Sequence, residues 1–392
     1  MELKTARGRL FFLILVLLAF PLLNHHYKII KSSPLKDVMP TEKPAFSYWG
    51  LWDGSYQASL NSYLNDVVGF REDMIRFVNQ IDFSFFNKIN VPDFIIGKNN
   101  DLFFKEYIDA YCGIDYNGDE HLLTLMLKMK AVQDTLEKMG KTFVFVHAAS
   151  KVSYNPEDIP DNWNCKPNGK TNLKTFVHLE DSLGIHQIDF DSWFVSLKGK
   201  TEHSLFIKQG IHWSLYGSMY AVDSLIRFIE RSRNIEMLHP VWTQTDYTYM
   251  ARNEEGDMER LLNLVFPIDT GAYWYQRWQY VSTGHKKVTK PMIIYIGDSF
   301  MKTLFNNGIM NSDSASQFWY YNAVFIPNPA QPIVSWDNFN YQWVDLGHVY
   351  DIKWQETIQK ADCIVLVYTA SRLISTSAIF IENAYAYYYP SK

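Results

Sequence analysis

The chain has little cysteine: only Cys112, Cys165 and Cys363 occur among its 392 residues, at irregular spacing. This small, odd number predicts neither a disulfide framework nor a zinc site, and it allows at most one disulfide. Cys363 opens an apolar run, so we expect it to be a buried free thiol. No cluster of metal-ligating residues is visible either. We therefore expect no bound metal or cofactor.

The chain also lacks a basic stripe, and its net charge is -5 with a pI near 6.1. Nucleic-acid binding depends on clustered Lys and Arg, so we exclude nucleic acid as a partner. No internal repeat or low-complexity tract is present. Aromatic residues are abundant, with 25 Tyr, 26 Phe and 12 Trp. Exposed rings of this kind stack on sugars, although most of them are expected in the core.

The N-terminus carries Lys4, Arg7 and Arg9 before an unbroken apolar run at residues 10–23. The run is short for a membrane span and also suits a signal peptide, but no small-residue cleavage site follows it. We predict an uncleaved, single-pass signal anchor over residues 1–27 with the N-terminus in the cytoplasm. A cleaved signal is the alternative. Residues 28–95 are predicted to be a Pro-containing tether and a helical entry module, and residues 96–392 the main domain.

From about residue 120 onward, short apolar runs alternate with amphipathic helical segments. The runs at residues 142–146, 185–190, 292–296, 323–326 and 363–368 predict strands. Nearly continuous apolar strands separated by helices are typical of a mostly parallel sheet covered on both faces, which makes the fold class α/β with three layers. In such sheets the ligand lies outside the carboxyl ends of the strands.

The segment MIIYIGDSF, residues 292–300, predicts a buried strand that leads through Gly297 and Asp298 to Ser299 and then into a helix. This arrangement directs Ser299 at the ligand-binding edge. Its backbone N–H and the partial positive charge of the helix can stabilise an oxyanion. Gly297 permits a tight turn there. The alternative is that Asp298 and Ser299 only cap the helix.

The segment FIKQGIHWSLYG, residues 206–217, places His212 and Trp213 just before a helix that starts after Ser214. A histidine at this position is suited to act as a general base for a serine nucleophile. The alternative is an ordinary packed histidine.

Several segments resemble a known family when taken in order: IIGKNNDLFF, YIDAYCG, GIHQIDFDSWF, the HWSxxG block and the late GDSF. Together with the N-terminal anchor, they are similar to the AlgX/AlgJ-type alginate O-acetyltransferases and the related DHHW proteins over residues 50–375. The resemblance implies an SGNH-hydrolase-like fold with Ser299 as nucleophile and His212 as base. It also offers Trp213 and Arg372 as substrate-binding residues, although the Glu-Arg pair usual in the family is here Ser371-Arg372.

One departure from the family pattern concerns the acid that orients the histidine. The family commonly reads Asp-x-His-Trp, whereas this chain has Gly210 two residues before His212. Asp189 and Asp191 end a predicted strand, so they are the candidates to replace the missing acid. A dyad without an acid, or loss of catalysis, are the other possibilities. Asp298 is expected to fix the turn beside the nucleophile.

The resemblance implies an O-acetyltransferase that acts on a surface or exported polysaccharide through an acyl-serine intermediate. The acetyl donor is expected to come from a membrane-bound O-acyltransferase partner. The domain is expected on the periplasmic side of a bacterial cytoplasmic membrane. An acetyl esterase or deacetylase of the same fold, and a non-catalytic carbohydrate-binding subunit, are the alternatives.

Overall fold

The computed structural model describes residues 2–27, 29, 31–36, 38–67, 69–163, 165, 169–252, 255–268, 271–314, 316–327, 343–349 and 353–390. Contacts within the chain divide it into two units. The first comprises Met1–Pro92 and Glu259–Ile268, and the second comprises Asp93–Met258 and Asp269–Lys392. The predicted domains at residues 1–27, 28–95 and 96–392 stay a prediction, and the sequence did not predict that Glu259–Ile268 groups with the first unit.

The first unit is helical. Its helices are α1 (Glu2–Tyr27), α2 (Tyr48–Asp53), α3 (Ser55–Val67) and α4 (Arg71–Phe86). The last two lie within residues 28–95, where the sequence predicts a helical entry module. No helix among the described residues combines the length and the apolar character needed to cross a membrane.

The described part of the second unit contains the strands. They are β1 (Phe94–Ile96), β2 (Leu102–Phe104), β3 (Thr142–His147), β4 (Gln187–Asp189), β5 (His239–Thr248), β6 (Tyr273–Val281), β7 (Ile293–Gly297), β8 (Gln317–Tyr320), β9 (Ala323–Pro327), β10 (Trp343–His348) and β11 (Cys363–Tyr368). The remaining helices are α5 (Lys105–Cys112), α6 (Asp119–Lys138), α7 (Lys151–Tyr154), α8 (Asn172–Leu183), α9 (Phe190–Leu197), α10 (Leu215–Arg233), α11 (Asp257–Leu262), α12 (Phe300–Asn306), α13 (Trp354–Lys360) and α14 (Ala378–Tyr388).

Seven of these strands form one sheet in the order β10-β9-β8-β7-β11-β3-β4. The five strands from β8 to β4 are parallel, as predicted. The β8–β9 and β9–β10 pairs are antiparallel, so the sheet is mixed. The reason is a two-residue turn at Tyr321 and Asn322, both at positive φ. Such a tight turn can only join antiparallel neighbours, whereas a parallel pair needs a long crossover.

Helices cover both faces of this sheet, which gives the three predicted layers. One buried cluster joins β3, β7 and β11 to α5, α7, α9, α10 and α12. The other joins the opposite face to α6, α8, α13 and α14. The side chains of β3, β7 and β11 are buried throughout. Burial of both faces explains why these strands read as continuous apolar runs rather than as alternating ones.

The cysteines form one disulfide, between Cys112 and Cys165. This is the single bridge that the sequence allowed. Cys363 is a free, fully buried thiol on the central strand β11, and burial raises its pKa to about 12. The thiol is therefore a packing group rather than a reactive one.

Candidate active site

The turn after β7 holds Ser299 at the carboxyl edge of the sheet. Asp298 is buried beneath it and accepts hydrogen bonds from the backbone N–H and the hydroxyl of Thr369, both at 2.9 Å. Its other oxygen accepts from the Phe300 N–H at 3.0 Å. Burial raises the pKa of Asp298 against the lowering effect of these bonds. Asp298 thus ties the end of β7 to the end of β11.

Gly297 is needed for a different reason from the one predicted. A Cβ at this position would lie 2.4 Å from the carbonyl oxygen of Val367 on β11. Its φ is not in the left-handed region, so the turn itself does not demand glycine. The close approach of β11 does.

His212 lies in a loop that closes on itself. Phe206 and Trp213 form an isolated antiparallel bridge, and the Ser214 N–H donates to the Leu205 carbonyl at 2.8 Å. Ser214 then caps α10 by accepting from the Gly217 N–H. Lys151 also fixes the loop, because its buried ammonium donates to the carbonyls of Lys208 (3.0 Å) and Gly210 (2.7 Å).

The structure brings the two predicted residues of the site together. Nε2 of His212 lies 2.8 Å from Oγ of Ser299, within hydrogen-bond reach. The imidazole is 6% exposed and packs on the ring of Phe300, with the centroids 4.7 Å apart. A serine and a histidine at this distance on the ligand-binding edge have the geometry of a nucleophile and its base.

The carboxylate next to His212 is Asp257, at the start of α11. Its Oδ2 lies 2.8 Å from Nδ1 of His212. The two groups are within ion-pair distance, but they carry opposite charges only when His212 is protonated, and the contact does not meet the angular criteria of a hydrogen bond. The other oxygen of Asp257 accepts from the backbone N–H groups of Ile211 (3.0 Å) and Met258 (2.8 Å). Burial opposes ionisation, but the neighbouring His212 and these donors hold the pKa of Asp257 below its ordinary value.

The absence of a side chain at Gly210 makes room for this acid. A Cβ at Gly210 would lie 3.2 Å from the backbone nitrogen of Gly256, the residue before Asp257. Glu255 anchors the same segment by accepting from the Leu215 N–H at 2.7 Å. A second segment of chain therefore supplies a carboxylate close to the place where the family pattern has its Asp.

Asp189 and Asp191, the predicted replacements, bond elsewhere. Asp189 caps α9 by accepting from the Ser192 N–H at 3.0 Å. Asp191 is buried and accepts from the Ser150 N–H at 2.8 Å. Burial raises the pKa of Asp191 to about 6. Neither carboxylate contacts His212, so their assignment as the orienting acid is replaced by Asp257.

Sequence reasoning missed Asp257 because it lies 45 residues after His212 in a segment with no regular pattern. The sequence does contain one indirect signal, which is the missing acid at Gly210. A glycine in place of the expected acid implies that another carboxylate comes from outside the motif, and the acidic run at residues 254–257 was one source.

Trp213 is not a substrate-binding residue. Its indole is fully buried among Phe190, Phe194 and Phe300, and its N–H donates to the hydroxyl of Thr303. A ring without exposed surface cannot stack on a sugar. The predicted role is wrong, and Trp213 belongs to the core that fixes the His212 loop against α12.

Arg372 lies in a short helical turn after β11 and is partly exposed. Its guanidinium contacts the carboxylate of Glu106 at 2.6 Å. Burial lowers the pKa of Arg372, but Glu106 and other neighbouring groups hold it above its ordinary value. A contact of Arg372 with substrate stays a prediction.

A family model described as an SGNH hydrolase-like domain of the acetyltransferase AlgX matches residues 95–306, more than half of the chain. The chain belongs to the AlgX family. The resemblance read from the motifs is therefore confirmed. The matched residues include His212, Asp257 and Ser299, so the whole constellation lies inside the AlgX-family domain.

Three solved structures are also similar to this AlgX-family chain. The O-acetyltransferase domain of Pseudomonas putida AlgJ is 14% identical, with 76% of this chain and 100% of that chain covered and a TM-score of 0.47. Pseudomonas aeruginosa AlgX is 12% identical, with 72% of this chain and 65% of that chain covered and a TM-score of 0.45. Bacillus cereus PatB1 with a sulfonyl adduct is 9% identical, with 74% of this chain and 98% of that chain covered and a TM-score of 0.44. None of the curated protein sequences compared with the chain matches it.

Proposed function

We propose that this protein is an O-acetyltransferase that moves an acetyl group to a hydroxyl of an extracytoplasmic polysaccharide through an acyl-serine intermediate. Membership of the AlgX family supports acyl transfer as the reaction class. The observation that carries the mechanism is the chain of contacts from Ser299 through His212 to Asp257, at 2.8 Å for each step.

The reaction proceeds in two steps. Oγ of Ser299 attacks the acetyl carbonyl of the donor ester while Nε2 of His212 takes the hydroxyl proton. The leaving alcohol departs with that proton, which leaves an acetyl-serine. A sugar hydroxyl then attacks the acetyl carbonyl, gives its proton to His212, and Ser299 is regenerated. Asp257 stabilises the imidazolium formed in each step.

The location outside the cytoplasm is part of the proposal. The Cys112–Cys165 disulfide supports it, because such bridges persist in oxidising compartments and are rare in the cytosol. The single-pass anchor at residues 1–27 and a donor delivered by a membrane-bound O-acyltransferase belong to the same proposal and rest on the sequence.

A transfer assay tests the function. The purified protein is incubated with 4-nitrophenyl acetate and a panel of oligosaccharides, and acetylated sugar is measured by mass spectrometry. We expect acetylated sugar with the wild type and none with Ser299→Ala or His212→Ala. Acetate release with no sugar product at any acceptor would support an esterase instead. If a fluorophosphonate probe also failed to label Ser299 in the folded protein, a non-catalytic binding subunit would be the better interpretation.

A further inference from the structure

A cleft of about 910 Å³ runs along the carboxyl edge of the sheet in the second unit. Ala370 after β11, Ser150 after β3 and Asp189 at the end of β4 line it in turn. Neighbouring strands are about 4.8 Å apart, so the edge from β7 to β4 extends over roughly 15 Å. Its volume falls in the range of ligand-binding clefts, and its position is where α/β sheets bind ligands.

One end of the cleft adjoins the Ser299 turn. Ala370 directly follows Thr369, which donates two hydrogen bonds to Asp298. Tyr107 also lines the cleft, and its ring lies 6.3 Å from that of Phe300, the residue after the nucleophile. An acceptor bound along this edge would lie on the side of the Ser299 turn, although neither Ser299 nor His212 itself lines the cleft.

The walls of the cleft carry aromatic rings. Tyr111 and Trp163 both line it, and Tyr111 is 36% exposed. The disulfide joins the residue after Tyr111 to Cys165, which is also part of the lining. The bridge thus holds the two ring-bearing segments together. The exposed ring of Tyr111 provides flat apolar surface at low entropic cost, and the Lys105 ammonium lies 5.6 Å from the centre of the Trp163 ring.

The charge of the cleft is negative. Among the described residues that line it, five carboxylates stand against two lysines and His178; the carboxylates are Glu157, Asp161, Asp181, Asp189 and Asp191. Both lysines are already engaged, since Lys98 pairs with Asp161 at 2.6 Å and Lys174 donates to the Gly169 carbonyl at 3.3 Å.

Three of these carboxylates accept hydrogen bonds from uncharged donors, and Asp189 and Asp191 also interact electrostatically with each other and with the buried His147. Asp181 accepts from the Gln187 amide at 2.8 Å, while Asp189 and Asp191 accept from backbone N–H groups. None of the three is in an ion pair within the described part of the chain. A second negative charge bound beside them would cost free energy, whereas ammonium or hydroxyl groups would supply donors.

We propose that this cleft binds the acceptor and that the acceptor is a glycan of amino sugars rather than a polyuronate. This inference rests on the proposed function for the identity of the ligand as acceptor. The rings hold the sugar faces, and Asp181 and Asp189 attract the protonated amines.

The test measures binding to the Ser299→Ala variant by calorimetry at slightly acidic pH and low salt. The probes are a glucosamine tetramer, its fully N-acetylated neutral counterpart and a uronate tetramer. We expect the glucosamine tetramer to bind at least about tenfold more tightly than the uronate tetramer, with the neutral tetramer between them. Added salt should reduce the difference in affinity between the glucosamine tetramer and the uronate tetramer.

Asp181→Asn combined with Asp189→Asn is the diagnostic variant, because Asn still caps α9 and still accepts from Gln187. We expect it to reduce the preference for the amino sugar severalfold. Asp134→Asn, which removes one carboxylate charge outside the cleft lining, from the Lys130–Asp134 pair on α6, should leave the preference unchanged. Equal or tighter binding of the uronate tetramer, or an unchanged preference in the double variant, would overturn the proposal.

The two proposals fail separately. If wild-type protein transfers no acetyl group but the amino-sugar preference holds, the acyltransferase proposal fails and the cleft stands only as an amino-sugar binding site. If uronate oligomers are bound best and acetylated, transfer stands and the cleft assignment fails.

Discussion

Asp257 is held beside His212 by two backbone donors, which leaves its second oxygen for the imidazole. In the Asp257→Asn variant, the amide oxygen still accepts from Ile211 and Met258, so the loop should keep its place. The amide NH₂ then faces Nδ1 and favours the wrong histidine tautomer. We expect kcat for ester cleavage to fall by about 10² to 10⁴.

Asp189→Asn is the matched control for this prediction, since it keeps the helix cap and removes the carboxylate that the sequence first suggested. Its kcat towards a small acetyl ester should match the wild type. An equal loss in both variants would contradict the assignment of Asp257.

Asp191 makes the free energy of unfolding depend on pH, and its raised pKa decides the direction of that dependence. Between its unfolded pKa near 4 and its folded pKa of about 6, the folded state holds more protons than the unfolded state. The free energy of unfolding therefore falls as pH rises through this window. The Asp191→Asn side chain cannot ionise. We therefore expect the free energy of unfolding of this variant to rise relative to that of the wild type as pH increases through the same window. Urea unfolding at several pH values measures this difference. A constant difference between the two proteins would contradict the raised pKa.

Which residues meet at the site was only partly predictable from the sequence. Ser299 was found because a buried strand running into Gly-Asp-Ser is a local pattern, and His212 because it precedes a capped helix. Asp257 was out of reach, since no local pattern marks a carboxylate that arrives from another segment. Trp213 was misread because a motif does not report burial, and the ring proved to be part of the core.

At the scale of elements, the loop at residues 205–214 and the segment before α11 pack as a complementary pair. Gly210→Asp would restore the family's acid, but its Cβ would lie 3.2 Å from the Gly256 nitrogen and 3.2 Å from Ile207 Cγ1. It would also place a carboxylate close to Asp257. We expect the variant to lower the rate of Ser299 labelling by a fluorophosphonate probe, because Asp257 is displaced from His212.

Gly210→Ala, which adds only the Cβ, separates crowding from charge. A smaller loss in this variant would assign part of the effect to crowding. Faster labelling of Gly210→Asp than of the wild type would show that the native site lacks an orienting acid, which contradicts the role given to Asp257.

The sequence predicts the type of an element when a local pattern of residues determines it. Continuous apolar runs gave β3, β7 and β11, which are buried on both faces. The antiparallel edge was missed because its direction depends on the two-residue turn at Tyr321 and Asn322, whose positive φ angles the apolar pattern does not encode.

At the scale of the whole molecule, the disulfide closes a long stretch of the second unit, because Cys112 and Cys165 are 53 positions apart in sequence. Cross-linking a loop of this length restricts the unfolded chain and typically contributes about 2 to 4 kcal/mol. We expect the Cys112→Ser/Cys165→Ser variant to unfold at lower denaturant and to be insensitive to reductant.

Cys363→Ala is the control for this prediction, because it removes the buried free thiol and leaves the bridge intact. Reductant should destabilise this control and the wild type alike. Equal stability of the wild type with and without reductant would show that the bridge does not form in solution.

The division into two units follows from contacts that sequence patterns do not carry. The tether and the helical periodicity predicted a boundary near residue 95, whereas the return of Glu259–Ile268 depends on tertiary packing. Asp257 lies two residues before that segment.

Ser299 is proposed to carry the acetyl group between donor and acceptor. The most direct measurement is peptide mapping by mass spectrometry after a brief reaction with 4-nitrophenyl acetate, quenched with acid. We predict one acetyl group on the peptide containing Ser299, its loss when acceptor oligosaccharide is added before quenching, and its absence in Ser299→Ala. An acetyl group on any other residue, or none on Ser299 while product still forms, would contradict the account.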